Sequence, residues 1–219
     1  RGGYGTVRIM ESLDFTQFTH QPKWIVGYSD VTVLHSVVNT YLGIKTLHAS
    51  MPVNFETNTP EALESIRRAL FGEKLSYQFE PHHLNRTGSA SAPLVGGNLS
   101  ILYALQGTKH GLNVSDRILF FEDLDEYLYH IDRMAMSFQT ADKWSSISGL
   151  ICGGLTDMND NTIPFGQSAE EIIFDRISQF SYPVCFNFPA GHIKNNCALV
   201  LGAEYQLEVG EENCRLKEI

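Results

Sequence analysis

The chain lacks what a nucleic-acid partner would demand. Its 16 lysines and arginines are outnumbered by 25 aspartates and glutamates, giving a formal net charge of −9 with no basic cluster to offset it. The electrostatic footprint of a phosphate-backbone ligand is therefore missing. Long apolar runs are missing too: "ILFF" at 118–121 is far below the ~20 residues that span a bilayer, so no membrane partner is expected. The four cysteines, Cys152, Cys185, Cys197 and Cys214, show no C-x-x-C spacing. They read as buried or incidental thiols of a reducing compartment, not as a zinc site or a disulfide frame. What remains is a chain of 219 residues, 43% hydrophobic, long enough to bury a core and form one or two domains.

Apolar periodicity alternates between strand-like and helix-like along the chain. Residues 23–28 ("KWIVGY"), 45–50, 117–123, 147–154 and 183–188 read as strands, and 198–209 as a hairpin about Gly202. Residues 6–13, 31–43, 126–138 and 169–180 read as helices, and 96–107 as a loop entering one. The helix over 59–72 is the best signalled: Thr59 caps, Pro60 takes the first turn, Glu61 and Glu64 favour the positive end of the dipole and Gly72 stops it. The polar, turn-rich stretch 81–93 reads as a linker. Such alternation predicts an α/β fold.

Four polar sites fall at the ends of expected strands or loops: Gly2-Gly3-Tyr4-Gly5, Ser29-Asp30, Glu122-Asp123 and Gly191-His192. Ligands of α/β proteins gather at the carboxyl ends of strands, and Ser, Glu and His in that chain order are what one large class of serine hydrolases uses. Each site also has an ordinary reading. Ser29 before a helical pattern is a natural N-cap, Glu122 can simply solvate the following helix, and His192 is one of eight histidines. Glu126 rivals Glu122 for the acid role, although a place in the first turn of a helix would give it a purely electrostatic reason to be there. Glu126 and His130 stand at i, i+4 spacing, which marks either a surface pair or two ligands of a metal site.

The segments "RGGYG", "GYSDVT", "GGNLSIL", "FEDLDEYLYHIDRM" and "PAGH", in this order and at these intervals, resemble the serine LD-carboxypeptidases, the family of muramoyltetrapeptide carboxypeptidase and of microcin-immunity peptidases. The resemblance implies Ser29 as nucleophile, Glu122 as the acid and His192 as the base between them. It implies an oxyanion hole built from the backbone N–H groups of Gly3 (or Gly2) and Asp30. The reaction implied is hydrolysis of an L,D-amide bond, releasing the terminal D-alanine of a murein tetrapeptide in the bacterial cytoplasm. No metal or organic cofactor is implied, and a homodimer is. A toxic acyl-amide of the microcin kind is the alternative substrate, and a non-catalytic muropeptide-binding remnant the alternative role. Arg1 and Arg133 are candidates for the substrate's carboxylate with no spacing argument behind them.

The resemblance further implies a Rossmann-like N-terminal domain over residues 1–74, here truncated and carrying the nucleophile. A linker over 75–93 and a mixed α/β C-terminal domain over 94–219, carrying the glutamate and histidine, would follow, with the site between the two. The opening "RGGYG" has no strand before it, so the chain is expected to be the downstream part of a longer protein. On that expectation residues 94–210 form a compact unit while the first layer is left short of strands.

Overall fold

The computed structural model describes residues 3–219. In chain order its elements are α1 (Thr6–Ile9), α2 (Thr16–His20), β1 (Val26–Gly27), α3 (Thr32–Val37), β2 (Thr46–His48), α4 (Pro60–Leu70), β3 (Ser76–Phe79), β4 (Gly88–Asn98) and α5 (Leu99–Ala104). They continue with β5 (Ile118–Leu124), α6 (Leu128–Thr140), α7 (Lys143–Ser146), β6 (Gly149–Thr156), α8 (Ala169–Ile177), β7 (Val184–Cys185), β8 (Leu199–Leu201), β9 (Glu204–Val209) and β10 (Cys214–Glu218). The architecture is mixed α/β, with parallel and antiparallel pairings in both of its sheets.

The larger sheet runs β3-β10-β9-β4-β5-β6-β7. Its centre is β4, which pairs antiparallel with β9 through Pro93 and parallel with β5 from Leu94 onward. Parallel strands need crossovers, and α5, α6 and α8 cover one face of β5 and β6 through Leu99, Ile131, Met134, Ile172 and Ile173. The strand β5 is consequently buried on both faces and reads as the run "ILFF" rather than as an alternation. The opposite face packs on Leu47 of β2, Ile66 of α4 and Leu199 and Leu201 of β8. The smaller sheet, β1-β2-β8, joins two strands from early in the chain to one from late in it.

Several expectations change here. Residues 75–93 are not an irregular linker, because β3 and most of β4 lie within them as members of the larger sheet. The expected hairpin over 198–209 does not form either. Gly202 turns the chain between sheets, so that β8 pairs with β2 while β9 pairs with β4 and β10. The strand at 23–28 shortens to Val26–Gly27, and the helix expected from 126 begins at Leu128. The helix α4 follows its sequence signals closely: the Thr59 hydroxyl accepts from Ala62 N at 3.2 Å and Gly72 takes φ 78°.

Candidate active site

The nucleophile candidate sits on a forced turn. Beyond strand β1, Tyr28 is still in extended backbone, Ser29 takes φ 60°, and a 3₁₀ turn over Ser29–Val31 leads directly into α3. A left-handed conformation at a non-glycine residue costs about 1–3 kcal/mol and persists only where the surroundings impose it. Its effect is to lift the serine side chain off both strand and helix. Ser29 then lines a cleft of about 270 Å³ together with Gly3, Tyr28, Asn54 and His192.

Asp30 is buried, at 6% exposure, and its carboxylate is held by Thr6. Oδ2 accepts from Thr6 N at 2.9 Å and from Thr6 Oγ1 at 2.7 Å. This carboxylate caps α1, whose first residue lies 24 positions earlier in the chain, rather than the helix that Asp30 itself opens. The pairing ties the Gly3-Tyr4-Gly5 loop to the serine turn, so both expected oxyanion donors border one held junction. Gly2 and Arg1 lie outside the described residues.

Glu122 and His192 meet. Glu122 lies near the carboxyl end of β5, where the register against β6 shifts between Phe121 and Asp123, and it is 0% exposed. Its Oε2 stands 2.7 Å from His192 Nδ1. Glu122 as acceptor makes Nδ1 the protonated nitrogen and leaves Nε2 with a free lone pair. Burial pulls the His192 pKa down, but the hydrogen bond and charge of Glu122, with the charge of Asp123, outweigh it and leave the net value raised above 6.5. The Tyr28 ring stands edge-on to the imidazole at 4.7 Å, and its hydroxyl donates to Asn54 Oδ1 at 3.2 Å. Ser29 Oγ and His192 share the cleft without a direct hydrogen bond between them, a looseness common before substrate binds.

A second set of contacts holds these groups in register. Asp123, beside Glu122, accepts from Asn98 Nδ2 at 2.8 Å, Leu124 N at 2.9 Å and Ser100 N at 2.9 Å. Asn98 N in turn donates to Thr32 Oγ1 at 2.9 Å, and Thr32 opens α3, two residues beyond Asp30. A Cβ on Gly97 would fall 2.4 Å from Thr32 Oγ1, so only glycine lets β4 approach the helix this closely. The motif "GGNLS" therefore joins the acid strand to the serine helix, a role its sequence did not announce. Burial first and the Glu122 charge second push the Asp123 carboxyl up to about 7.

The other candidates fall elsewhere. Glu126 precedes α6 instead of occupying its first turn, and its Oε2 pairs with His130 Nδ1 at 2.5 Å. Among the described residues no third His, Cys, Asp or Glu completes a metal-binding group there. Arg133 lies over the Tyr129 ring, 5.3 Å from its centroid. Sequence reasoning passed over Lys194, which lines a second lobe of about 280 Å³ that shares Tyr28, Asn54 and His192 with the first. All four cysteines are buried and unbridged. Among the described residues no helix is long and apolar enough to cross a membrane.

Comparison with known proteins identifies the family. Residues 1–49 match the LD-carboxypeptidase N-terminal domain and residues 91–207 the LD-carboxypeptidase C-terminal domain. The chain belongs to the LD-carboxypeptidase family, and it is an enzyme of the serine carboxypeptidase type. Over 220 residues it is 30% identical to a probable murein peptide carboxypeptidase of Bacillus subtilis, covering 96% of this chain and 68% of that protein. It is 28% identical to the murein tetrapeptide carboxypeptidase of Pseudomonas aeruginosa, covering 95% of this chain and 70% of the relative. The crystal structure of muramoyltetrapeptide carboxypeptidase from Oxalobacter formigenes superposes with a TM-score of 0.90 at 25% identity, over all of this chain and 76% of that one. The microcin C7 self-immunity protein shares the fold, with a TM-score of 0.86 at 19% identity over all of this chain and 74% of that one.

Proposed function

We propose that this enzyme hydrolyses the L,D-amide bond of murein tetrapeptides and releases their terminal D-alanine, with Ser29, His192 and Glu122 as its catalytic residues. The observation that carries the reading is the 2.7 Å contact between the buried Glu122 and His192, at a cleft that also receives a serine held at φ 60°. In this scheme Nε2 of His192 takes the Ser29 Oγ proton as Oγ attacks the carbonyl carbon. The resulting oxyanion is held by the N–H groups of Gly3 and Asp30, each such donor being worth on the order of 3 kcal/mol of transition-state stabilisation. Imidazolium, stabilised by Glu122, then gives its proton to the leaving amine, the C–N bond breaks and D-alanine departs. Water, deprotonated by the same nitrogen, hydrolyses the acyl-serine and restores the hydroxyl.

The murein substrate is supported by the names of the two relatives above. On the family resemblance the enzyme works in the bacterial cytoplasm, as a homodimer, without metal or organic cofactor, its nucleophile domain being residues 1–74 and its acid–base domain 94–219. The test is D-alanine release from murein tetrapeptide, with labelling of the protein by a fluorophosphonate. Release and labelling that both disappear in Ser29→Ala support the scheme. Undiminished release by that variant removes Ser29 as nucleophile, and turnover of an acyl-amide nucleotide in place of the tetrapeptide shifts the substrate assignment.

A further inference from the structure

A carboxypeptidase acts one residue from the chain end, so its leaving group carries a carboxylate on the same carbon as the amine it releases. That carboxylate lies within about one residue length, ~3.8 Å, of the bond being cut. The group that gives the amine its proton and the group that holds the carboxylate must therefore be near neighbours. Under the proposed scheme the proton donor is His192. We infer that Lys194 is the specificity-determining residue that takes the substrate's terminal carboxylate, in the lobe that shares His192 with the serine cleft, an inference that rests on the hydrolase reading above.

Three observations support it. The first is placement: Lys194 is two residues from His192 and lines the lobe that shares Tyr28, Asn54 and His192 with the serine cleft. The second is rigidity. Lys194 O accepts from Thr59 N at 3.1 Å and from Asn58 Nδ2 at 2.9 Å, and the adjacent Asn195 Oδ1 accepts from Thr59 Oγ1 at 2.7 Å. Ile193 N closes a tight turn onto Gly191 O at 2.9 Å. The backbone is thus fixed at the residue whose long side chain is exposed, as a subsite requires.

The third is charge. Neither lobe is lined by a carboxylate or by another lysine or arginine among the described residues, and Lys194 makes no ion pair within 4.0 Å there. In a chain of formal charge −9 an anionic peptide end is repelled at long range. An unneutralised ammonium in the lobe that His192 also lines is the local exception, and the lobe's side-chain amides, from Asn54 and Asn58, are neutral groups able to frame a carboxylate.

The experiment uses the uncleavable complex so that binding is read without turnover. Calorimetry on Ser29→Ala compares the tetrapeptide with its C-terminal amide, in the Lys194, Lys194→Ala and Lys194→Arg backgrounds. The free acid is expected to bind about ten- to a hundredfold less tightly once Lys194 becomes Ala, the amide to bind unchanged, and Arg to restore most of the acid's affinity. Equal losses for acid and amide, or none for either, overturn the inference. Assays on the unmutated serine separate the two readings. A KM for the free acid that Lys194→Ala leaves untouched, with D-alanine still released, sinks the subsite alone. Absence of release alongside Lys194-dependent acid binding sinks the hydrolase scheme and leaves the subsite standing.

Discussion

A Cβ placed on Gly191 would stand 2.7 Å from Cβ of Glu122 and 2.8 Å from its Oε2. The residue before the histidine and the residue that orients the histidine therefore compete for one volume, and glycine, here at φ 115°, leaves it to the carboxylate. Asn196 Oδ1 holds Gly191 N at 2.8 Å, so the turn has little freedom to retreat. Gly191→Ala should fold, with Tm lowered by several degrees, and lose most of its turnover because Glu122 is pushed off Nδ1. Circular dichroism and the rate of D-alanine release check this. A variant with near-normal kcat would show that the 2.7 Å contact tolerates displacement.

The pH dependence follows from which form of His192 is needed. The base must be neutral, and the pKa of His192 is raised, burial being outweighed by Glu122 and Asp123. The rate should fall as pH drops through a value above 6.5. In Glu122→Gln the hydrogen bond to a charge and the charge itself are lost while burial remains, so the acid limb should move to lower pH as kcat falls by orders of magnitude. For stability the sign is opposite to that for activity. A histidine with a raised folded pKa stabilises the fold fully below its unfolded value, near 6.5, and the contribution disappears as pH rises through the folded pKa. The stability difference between the native enzyme and Glu122→Gln should therefore shrink across that window. A pH–rate limb that Glu122→Gln does not move would place the titrating group elsewhere.

Ser29 gives a test of strain at the site. Glycine accepts φ 60° without the ~1–3 kcal/mol that a side chain pays there, while its unfolded state gains roughly 0.5–1 kcal/mol of entropy. Ser29→Gly should accordingly lose turnover yet unfold at an equal or higher urea concentration than the native enzyme. A clearly lower midpoint would mean that the serine side chain contributes more to the fold than its backbone geometry takes away.

Parts of this arrangement are legible in the sequence alone. The caps of α4 and the apolar run of β5 follow from local chemistry, because Thr59, Pro60 and Gly72 satisfy or interrupt helix bonds within a few residues of themselves. The partnership of Glu122 and His192 is available there only through resemblance. Seventy residues separate them, and nothing local to either encodes the contact. The split of β8 from β9 is hidden because both are apolar runs around a glycine, which a hairpin explains equally well. The strand β3 escapes notice for a different reason. At the sheet edge, "SYQF" alternates only between exposed and half-buried positions and so carries little apolar signal. Lys194 is just as silent, since a single exposed lysine in a loop has no periodicity to mark it.

The contacts linking the two sides of the site lead to the last prediction. Asp123, Asn98 and Thr32 form a chain of hydrogen bonds from the strand that carries Glu122 to the helix that begins at the serine turn. Asp123 and Asn98 are both nearly fully buried, and so is Thr32. Thr32→Val removes the acceptor of Asn98 N, and Asp123→Asn turns one acceptor oxygen into a donor, against either Asn98 Nδ2 or the Ser100 N–H. An unsatisfied buried group costs about 1–3 kcal/mol, so each variant should lose stability on that scale. Thr32→Ser keeps the hydroxyl and should lose much less. If the three residues act as one unit, the double variant should be less destabilised than the sum of the singles, with a coupling of about 0.5–3 kcal/mol. The same coupling should appear in kcat, because Asn98 relays displacement of one side of the cleft to the other. Urea unfolding and D-alanine release on the four variants of that cycle give both numbers. Additivity within ~0.5 kcal/mol in both would show that strand and helix are positioned independently.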